Sequence, residues 1–170
     1  FEKEFYARYG IDADFVGHPL TDIVKVSTPK EQLLSSFHLN SKELTIGLLP
    51  GSRNKEIENL LPVMLEAAKI LQKKNPRIQF LLMKAPTIEK SLLDKYLMKE
   101  NPNIKIVNDA TYDGINACDF CMVASGTATL ETALLEKPMV IVYKTSFLTW
   151  FLAKLFVKIP NIGLVNIVAN

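Results

Sequence analysis

Cysteine is scarce in this sequence, and the two cysteines do not form a recognisable site. Cys118 and Cys121 are the only ones in 170 residues, which is too few for a disulfide framework and typical of a reducing compartment. They have C-x-x-C spacing, but no second cysteine pair or histidine pair lies nearby in the sequence to complete a zinc site. We therefore expect buried structural thiols rather than a metal or redox centre.

The sequence also lacks an excess of charge of one sign. The net charge is only +2, from 20 Lys and Arg against 18 Asp and Glu. No basic block indicates nucleic acid as the main partner, and no acidic tail is present. The hydrophobic content of 48% and the charged content of 22% are those of a globular domain, and the length is sufficient for one domain with a substantial core.

Short apolar runs alternate with amphipathic segments along the chain. The runs predict these strands: Leu44–Leu49, Ile78–Lys84, Ile104–Val107, Phe120–Val123, Met139–Tyr143 and Ile162–Val165. The amphipathic segments predict these helices: Pro29–Phe37, Asn54–Lys74, Ile88–Lys99, Tyr112–Cys118, Ala128–Glu136 and Phe147–Lys158. This alternation predicts an α/β fold with a doubly wound parallel sheet, in which ligands bind at the carboxyl ends of the strands.

The segment from Ser125 to Glu131 reads Ser-Gly-Thr-Ala-Thr-Leu-Glu and joins a predicted strand to a predicted helix. The free N–H groups and the dipole of a helix N-terminus favour an anion, most simply a phosphate. Hydroxyl groups of Ser125, Thr127 and Thr129 can add hydrogen bonds, and Glu131 can accept the hydroxyls of a ribose. The segment alone fits equally well an ordinary capped helix with a buried carboxylate.

A second strand-to-helix loop, Pro50-Gly51-Ser52-Arg53, precedes the longest predicted helix. Gly51 permits a sharp turn, Ser52 or Asn54 can cap the helix, and Arg53 can reach a phosphate with two N–H groups. The loop matches neither a Walker A motif nor G-x-G-x-x-G, which disfavours a P-loop ATPase or an NAD enzyme. Two such loops in one sheet favour a nucleotide site over the alternative of a solvated arginine beside a helix cap.

Several motifs together resemble the lipid-A-disaccharide synthases. In the family's order they are Phe15-Val16-Gly17-His18-Pro19-Leu20, Leu49-Pro50-Gly51-Ser52-Arg53 with Glu56, Ser125 to Glu131, Lys137-Pro138-Met139-Val140, Tyr143-Lys144 and Asn161 to Ile167. They cover nearly the whole chain, and each is weakly specific by itself. The helix beginning Ser-Gly-Thr would also suit other nucleotide-sugar glycosyltransferases, such as the lipid II-forming enzyme of cell-wall synthesis.

The resemblance implies a glycosyltransferase of the GT-B type, which has two Rossmann-like domains. The family transfers 2,3-diacylglucosamine from its UDP carrier to the 6-hydroxyl of 2,3-diacylglucosamine 1-phosphate (lipid X), giving a β-1,6 disaccharide and UDP. This chain is similar to the donor-binding half, with residues 1–25 as a linker and residues 26–170 as a UDP-sugar-binding domain truncated at its C-terminus. Since the chain begins at Phe1 and ends inside an apolar pattern, we interpret it as a piece of a longer protein.

The resemblance also assigns roles to single residues. Arg53 would be catalytic, because it would neutralise the departing UDP, whereas the general base would be a carboxylate in the other half. The arrangement would need no metal and no cofactor, since a positioned cation and helix dipoles can stabilise the leaving group. The donor would be bound by Gly51, Ser52, Arg53, Ser125, Gly126, Thr127, Glu131 and Asn166, with His18 and Tyr143 as further candidates.

The segment 146–160 has an aromatic and basic stripe at helical spacing, formed by Phe147, Trp150, Phe151, Lys154 and Lys158. This stripe fits either a peripheral contact with a membrane that holds the acylated substrates, or packing against the other half or a partner subunit. The resemblance implies a cytoplasmic protein at the inner membrane of a Gram-negative-type bacterium, and an uncovered apolar edge would favour a dimer. The open alternatives are another UDP-sugar enzyme, including an epimerase, and a non-catalytic nucleotide-binding module.

Overall fold

The computed structural model of the chain describes residues 2–97, 104–144 and 165–166. In these ranges, five strands form one parallel sheet with the order β3-β2-β1-β4-β5. The strands β1 to β5 are Thr45–Leu49, Gln79–Lys84, Ile104–Asn108, Phe120–Ala124 and Met139–Val142. The chain proceeds from β1 outward to β3 and then returns to the other side of β1, which is the strand order of a Rossmann-like sheet.

Seven helices lie within residues 2–97 and 104–144. In chain order, α1 to α7 are Glu2–Ala7, Leu20–Ile23, Lys30–Ser36, Asn54–Lys74, Lys90–Leu97, Thr111–Ala117 and Thr127–Leu134. The bounds of α4 agree with the sequence prediction, and the other predicted elements differ by at most two residues at those ends that lie in the described ranges. The short helix α2 was not predicted, because four residues are too few to show a helical period.

The sheet is covered on both faces, as continuous apolar strands require. On one face, α4 and α5 pack against alternate strand residues in a core that includes Leu48, Leu61 and Phe80. On the other face, a second core contains Leu34 of α3 and Ile115 of α6. Since helices cover both faces of this parallel sheet, the predicted doubly wound sheet is confirmed.

The strand register places the two predicted phosphate loops side by side. Leu49 at the end of β1 pairs with Val123 near the end of β4. Gly51 and Ser125 each follow their paired residue by two positions, so the loops leave adjacent strands at the same level of the sheet. This is the point where the strand order reverses, and it is where the sequence predicts a ligand.

The two cysteines are buried and are not joined by a disulfide, as predicted. Cys118 donates a hydrogen bond to the carbonyl oxygen of Gly114 at 3.1 Å. Burial and the neighbouring Cys121 raise the pKa of Cys118 well above its ordinary value, so the thiol stays protonated. Gly47 of β1 is the neighbour of Cys121 in the sheet. A Cβ atom at Gly47 would lie 2.9 Å from the sulfur atoms of both Cys118 and Cys121, so only glycine fits at this position.

Several predictions fall outside the described residues. These are the helix Phe147–Lys158 with its aromatic and basic stripe, and most of the strand Ile162–Val165. Val165, the last residue of that predicted strand, has helical backbone instead. The domain boundary near residue 25 stays a prediction, although Leu20 of the linker segment is already buried.

Candidate functional site

A cleft of about 610 Å³ lies at the carboxyl ends of β1 to β4. Its volume is in the range of small-molecule sites, and its floor is the switch point between β1 and β4. The loops after four successive strands contribute to it, together with the segment that leads into α3. Its polar and charged lining residues are Lys25, Ser27, Ser52, Arg53, Glu56, Asp109, Thr111, Tyr112, Asp113, Ser125, Thr127 and Glu131.

Most of the predicted donor-binding residues meet in this cleft. Those that line it are Gly51, Ser52, Arg53, Ser125, Gly126, Thr127 and Glu131. His18, Tyr143 and Asn166 are exposed and are not among its lining residues in the described ranges. The Nδ1 atom of His18 instead accepts the N–H of Leu20 at 3.2 Å, at the start of α2.

The loop between β1 and α4 is closed by Glu56 rather than by a cap from Ser52 or Asn54, which corrects the sequence prediction. The carboxylate of Glu56, inside the first turn of α4, accepts the N–H of Ser52 at 2.9 Å and the N–H of Arg53 at 3.3 Å. Gly51 has a φ of +116°, and a Cβ atom there would lie 2.7 Å from the Glu56 Cβ. The glycine is therefore required both by the turn and by the carboxylate folded against it.

The carboxylate of Glu56 thus occupies the position at which the N–H groups of the β1–α4 loop can bind an anion. The helix N-terminus favours a negative group, and in this structure the side chain of Glu56 supplies it. Arg53 Nη1 also lies 3.2 Å from Glu56 Oε1, while the arginine side chain is 81% exposed beside the cleft. Since a guanidinium has five N–H donors, most of them are left for a ligand.

The loop between β4 and α7 offers the second anion site. A Cβ atom at Gly126 would meet no atom of the described residues within 4 Å, and Gly126 lines the cleft. The first N–H groups of α7 have no partner within the helix. Thr129, however, is buried, and its hydroxyl donates to the carbonyl oxygen of Gly126 at 2.8 Å. The expected ligand contact from the Thr129 hydroxyl is therefore wrong, whereas Ser125 and Thr127 do line the cleft.

Glu131 lies deeper along α7 and is held by a residue that the sequence analysis missed. The hydroxyl of Tyr112 donates to Glu131 Oε1 at 3.2 Å. Burial raises the pKa of Tyr112 above its ordinary 10.0, and the charge and hydrogen bond of Glu131 raise it further. Tyr112 is therefore a protonated donor at neutral pH. Its signal in the sequence was its place at the start of the helix that follows a predicted strand, because this puts it at the same end of the sheet as the two loops.

Asp113 is the second missed residue, and it fastens the segment that leads into α3 to the cleft. Its Oδ1 accepts the N–H of Ser27 at 2.7 Å and the N–H of Thr28 at 3.0 Å. Its Oδ2 accepts the Ser27 hydroxyl at 2.7 Å. Burial alone would raise the pKa of Asp113, but these hydrogen bonds outweigh it and hold the pKa below its usual 3.8. The carboxylate therefore stays ionised and joins segments 86 residues apart.

We expect Asp113→Asn to lower the free energy of unfolding at pH 7 by about 2 kcal/mol, because the amide nitrogen cannot accept the Ser27 hydroxyl. A carboxyl group whose pKa is lowered by folding stabilises the protein above its unfolded-state pKa and loses that effect as the pH falls through the folded value. The difference between wild type and variant should therefore be full above about pH 5 and shrink below the usual value of 3.8. Urea unfolding of the intact protein across this pH range measures it.

Asp109→Asn is the matched control for this experiment. Asp109 lines the same cleft but is exposed, and no side-chain hydrogen bond of Asp109 to the rest of the described structure is present. Its φ is +55°, a conformation that asparagine also tolerates. A pH-independent difference for Asp113→Asn, or an equal loss in the control, would contradict the role of the ionised carboxylate.

No group of three or more His, Cys, Asp or Glu is arranged to hold a metal ion in the parts of the chain that the structure covers. The sequence Asp12-Ala13-Asp14 has the spacing of a metal-binding carboxylate pair, but it lies in the linker segment outside the cleft lining. Asp14 there contacts the Lys3 ammonium at 3.5 Å. Of the described helices, none is long and apolar enough to cross a membrane.

Comparison with known proteins identifies the family. The family model described as lipid-A-disaccharide synthetase matches residues 1–170, which is the whole chain. The chain belongs to the lipid-A-disaccharide synthase family. The synthase of Syntrophus aciditrophicus is 43% identical over 171 residues, and that of Trichlorobacter lovleyi is 45% identical over 170 residues. Both matches cover all of this chain but only 45% and 44% of the relatives, so the chain spans less than half of their length.

Solved structures of other enzymes share the fold. The chain has a TM-score of 0.50 with ADP-heptose lps heptosyltransferase II of E. coli, at 17% identity over 78% of this chain and 39% of that one. It has a TM-score of 0.51 with UDP-GlcNAc 2-epimerase of Neisseria meningitidis, at 18% identity over 88% of this chain and 42% of that one. At these identities the likeness concerns the Rossmann-like fold alone. The sequence relatives favour a lipid-A-disaccharide synthase over the epimerase and cell-wall alternatives.

Proposed function

We propose that this chain is the donor-binding part of a hexosyltransferase. The enzyme would move 2,3-diacylglucosamine from its UDP carrier to the 6-hydroxyl of lipid X, and it would release the β-1,6 disaccharide and UDP. The observation that carries the proposal is the convergence of two strand-to-helix loops, an exposed arginine and a half-buried carboxylate on one cleft, in a chain of this family. The remaining part of the protein would supply the acceptor site and the general base.

Two opposed anion sites would hold the diphosphate. Gly51, Ser52 and Arg53 would face it from the β1–α4 loop, and Ser125, Gly126 and Thr127 would face it from the β4–α7 loop. Negative charge grows on UDP as the glycosidic bond breaks, so a fixed guanidinium and two helix N-termini lower the barrier most in the transition state. When the diphosphate binds, it would compete with the Glu56 carboxylate for the N–H groups of the β1–α4 loop. We assign no metal to this step.

Glu131 would accept the ribose hydroxyls, since it lies further along α7 than the phosphate loop. Asn166, His18 and Tyr143 would contact the donor only at the margin of the site. For His18 this contact would use Nε2, because Nδ1 is engaged by the backbone of Leu20. These assignments rest on the family motifs and on the position of the cleft.

The acylated substrates place the proposed enzyme at a membrane surface. We infer a cytoplasmic protein, peripheral on the inner membrane of a Gram-negative-type bacterium, with a dimer through the uncovered edge as a further proposal. The contact would use the aromatic and basic stripe Phe147, Trp150, Phe151, Lys154 and Lys158. Binding to vesicles with and without an anionic lipid would test this location.

Calorimetric titration of the intact protein with UDP, GDP and ADP, with and without EDTA, tests the function of the cleft. We expect binding that is selective for UDP and unaffected by EDTA. Glu131→Ala should weaken UDP binding about tenfold, because it removes charge-assisted hydrogen bonds to the ribose. Glu58→Ala, at an exposed position of α4 outside the cleft, is the matched control. Equal affinity for the three nucleotides, or no binding by folded protein, would overturn the proposal.

A further inference from the structure

The hydrogen bond between Tyr112 and Glu131 connects two helices across the deep end of the cleft. Tyr112 is in the first turn of α6 and Glu131 is in the second turn of α7, and both side chains are partly buried and line the cleft. The donor is the tyrosine hydroxyl and the acceptor is Glu131 Oε1, at 3.2 Å. Within the described residues, this hydrogen bond holds the side chain of Glu131 in place.

A glutamate that lines an open cleft needs such a bond to keep one orientation. Its side chain has three rotatable bonds, and holding it in place costs rotamer entropy that must be met either before or during ligand binding. The tyrosine hydroxyl occupies one acceptor position on Oε1 and leaves Oε2 entirely free. Because the tyrosine ring is rigid and its hydroxyl donates only one proton, the bond restricts the orientations that the Glu131 carboxylate can adopt.

We propose that Tyr112 is a positioning residue that holds Glu131 so that its free carboxylate oxygen receives the ribose hydroxyls of the nucleotide donor. This inference rests on the proposed function of the cleft and adds a residue to it. Tyr112 itself does not touch the reacting atoms. Its contribution is pre-organisation, because Glu131 is already oriented before the nucleotide arrives.

The test compares UDP with 2′,3′-dideoxy-UDP, which lacks the ribose hydroxyls, on the intact protein. Tyr112→Phe keeps the ring and removes only the hydroxyl. It should weaken UDP binding about fivefold, the effect of one lost hydrogen bond, and leave the binding of dideoxy-UDP unchanged. In a Glu131→Ala background, Tyr112→Phe should cause no further loss, because the two residues act as a unit.

Tyr96→Phe is the matched control, because Tyr96 is a partly buried tyrosine on α5 that does not line the cleft. This control should change neither affinity. An equal loss for both nucleotides in Tyr112→Phe would show that the tyrosine supports the fold of the site rather than the ribose contact. An unchanged or increased affinity for UDP would show that the bond does not assist binding, and either result overturns the inference.

The same data separate a failure of this inference from a failure of the proposed function. If wild type prefers UDP over dideoxy-UDP and Glu131→Ala removes the preference, the ribose site stands. If Tyr112→Phe then keeps the full preference for UDP over dideoxy-UDP, only the positioning role of Tyr112 is contradicted. If wild type binds both nucleotides equally, the ribose role of Glu131 fails, and the role of Tyr112 fails with it.

Discussion

Replacing Arg53 by alanine is expected to lower kcat for sugar transfer by about 10²–10³-fold, the scale of losing one preorganised group that stabilises developing charge. Arg53 belongs to the β1–α4 loop and lines the cleft, where we propose that the departing UDP gains negative charge. An interaction that strengthens as the bond breaks acts on kcat more than on substrate binding. We therefore expect KM for the donor to change much less than kcat in steady-state assays of the intact protein.

The stability of the protein should hardly change in Arg53→Ala. The arginine side chain is 81% exposed, and its ion pair with Glu56, at 3.2 Å, joins residues three positions apart at the same helix end. Exposed pairs of this kind contribute about 0–1 kcal/mol. Arg53→Lys should recover part of kcat, since an ammonium keeps the charge but not the planar set of donors that suits a phosphate.

Arg77→Ala provides a closely matched control. Arg77 is 80% exposed and forms an ion pair with Glu43 at 4.0 Å. It precedes β2 and so lies at the amino ends of the strands, opposite the cleft. The two variants remove the same charge from equally exposed positions. A similar loss of kcat in both would indicate a general effect of net charge and contradict the leaving-group role of Arg53.

The fold was largely predictable because its signals are local. The apolar spacing within Asn54–Lys74 gave the bounds of α4, and continuous apolar runs gave buried parallel strands. The strand order was not predicted, because the alternation of strands and helices along the chain does not specify it. The structure shows the order β3-β2-β1-β4-β5, which places Gly51 and Ser125 at one switch point. The short helix α2 escaped prediction because nothing in four residues separates a helical turn from a loop.

The site was less predictable where its contacts join distant parts of the chain. Tyr112 and Asp113 stand together in the sequence, yet one bonds to Glu131 and the other to Ser27. No spacing rule links residue 113 to residue 27. Glu56 was part of a recognised motif, but a motif does not say whether its carboxylate faces solvent or folds back on the loop. That choice depends on Gly51, whose missing side chain leaves room for it.

Gly51→Ala is expected to disable the cleft and destabilise the protein together. At a φ of +116° an alanine is strained, and its Cβ would collide with the Glu56 side chain that accepts the loop N–H groups. Relieving the collision displaces Glu56, opens the turn and removes the anion site. We expect a loss of about 2–3 kcal/mol in unfolding free energy and at least about a tenfold loss in UDP affinity. Urea denaturation and calorimetric titration of the intact protein measure the two effects.

Gly126→Ala tests whether the missing side chain at this position is needed for ligand binding rather than for folding. The backbone at Gly126 is extended, and an added Cβ meets no atom within 4 Å in the part of the chain that the structure describes, so stability should stay within about 0.5 kcal/mol. If the diphosphate packs against this backbone, the same methyl group should still weaken UDP binding about tenfold. Unchanged affinity with unchanged stability would show that the phosphate does not approach the β4–α7 loop. The pair of alanine variants therefore tests whether both loops, or only the one closed by Glu56, hold the donor.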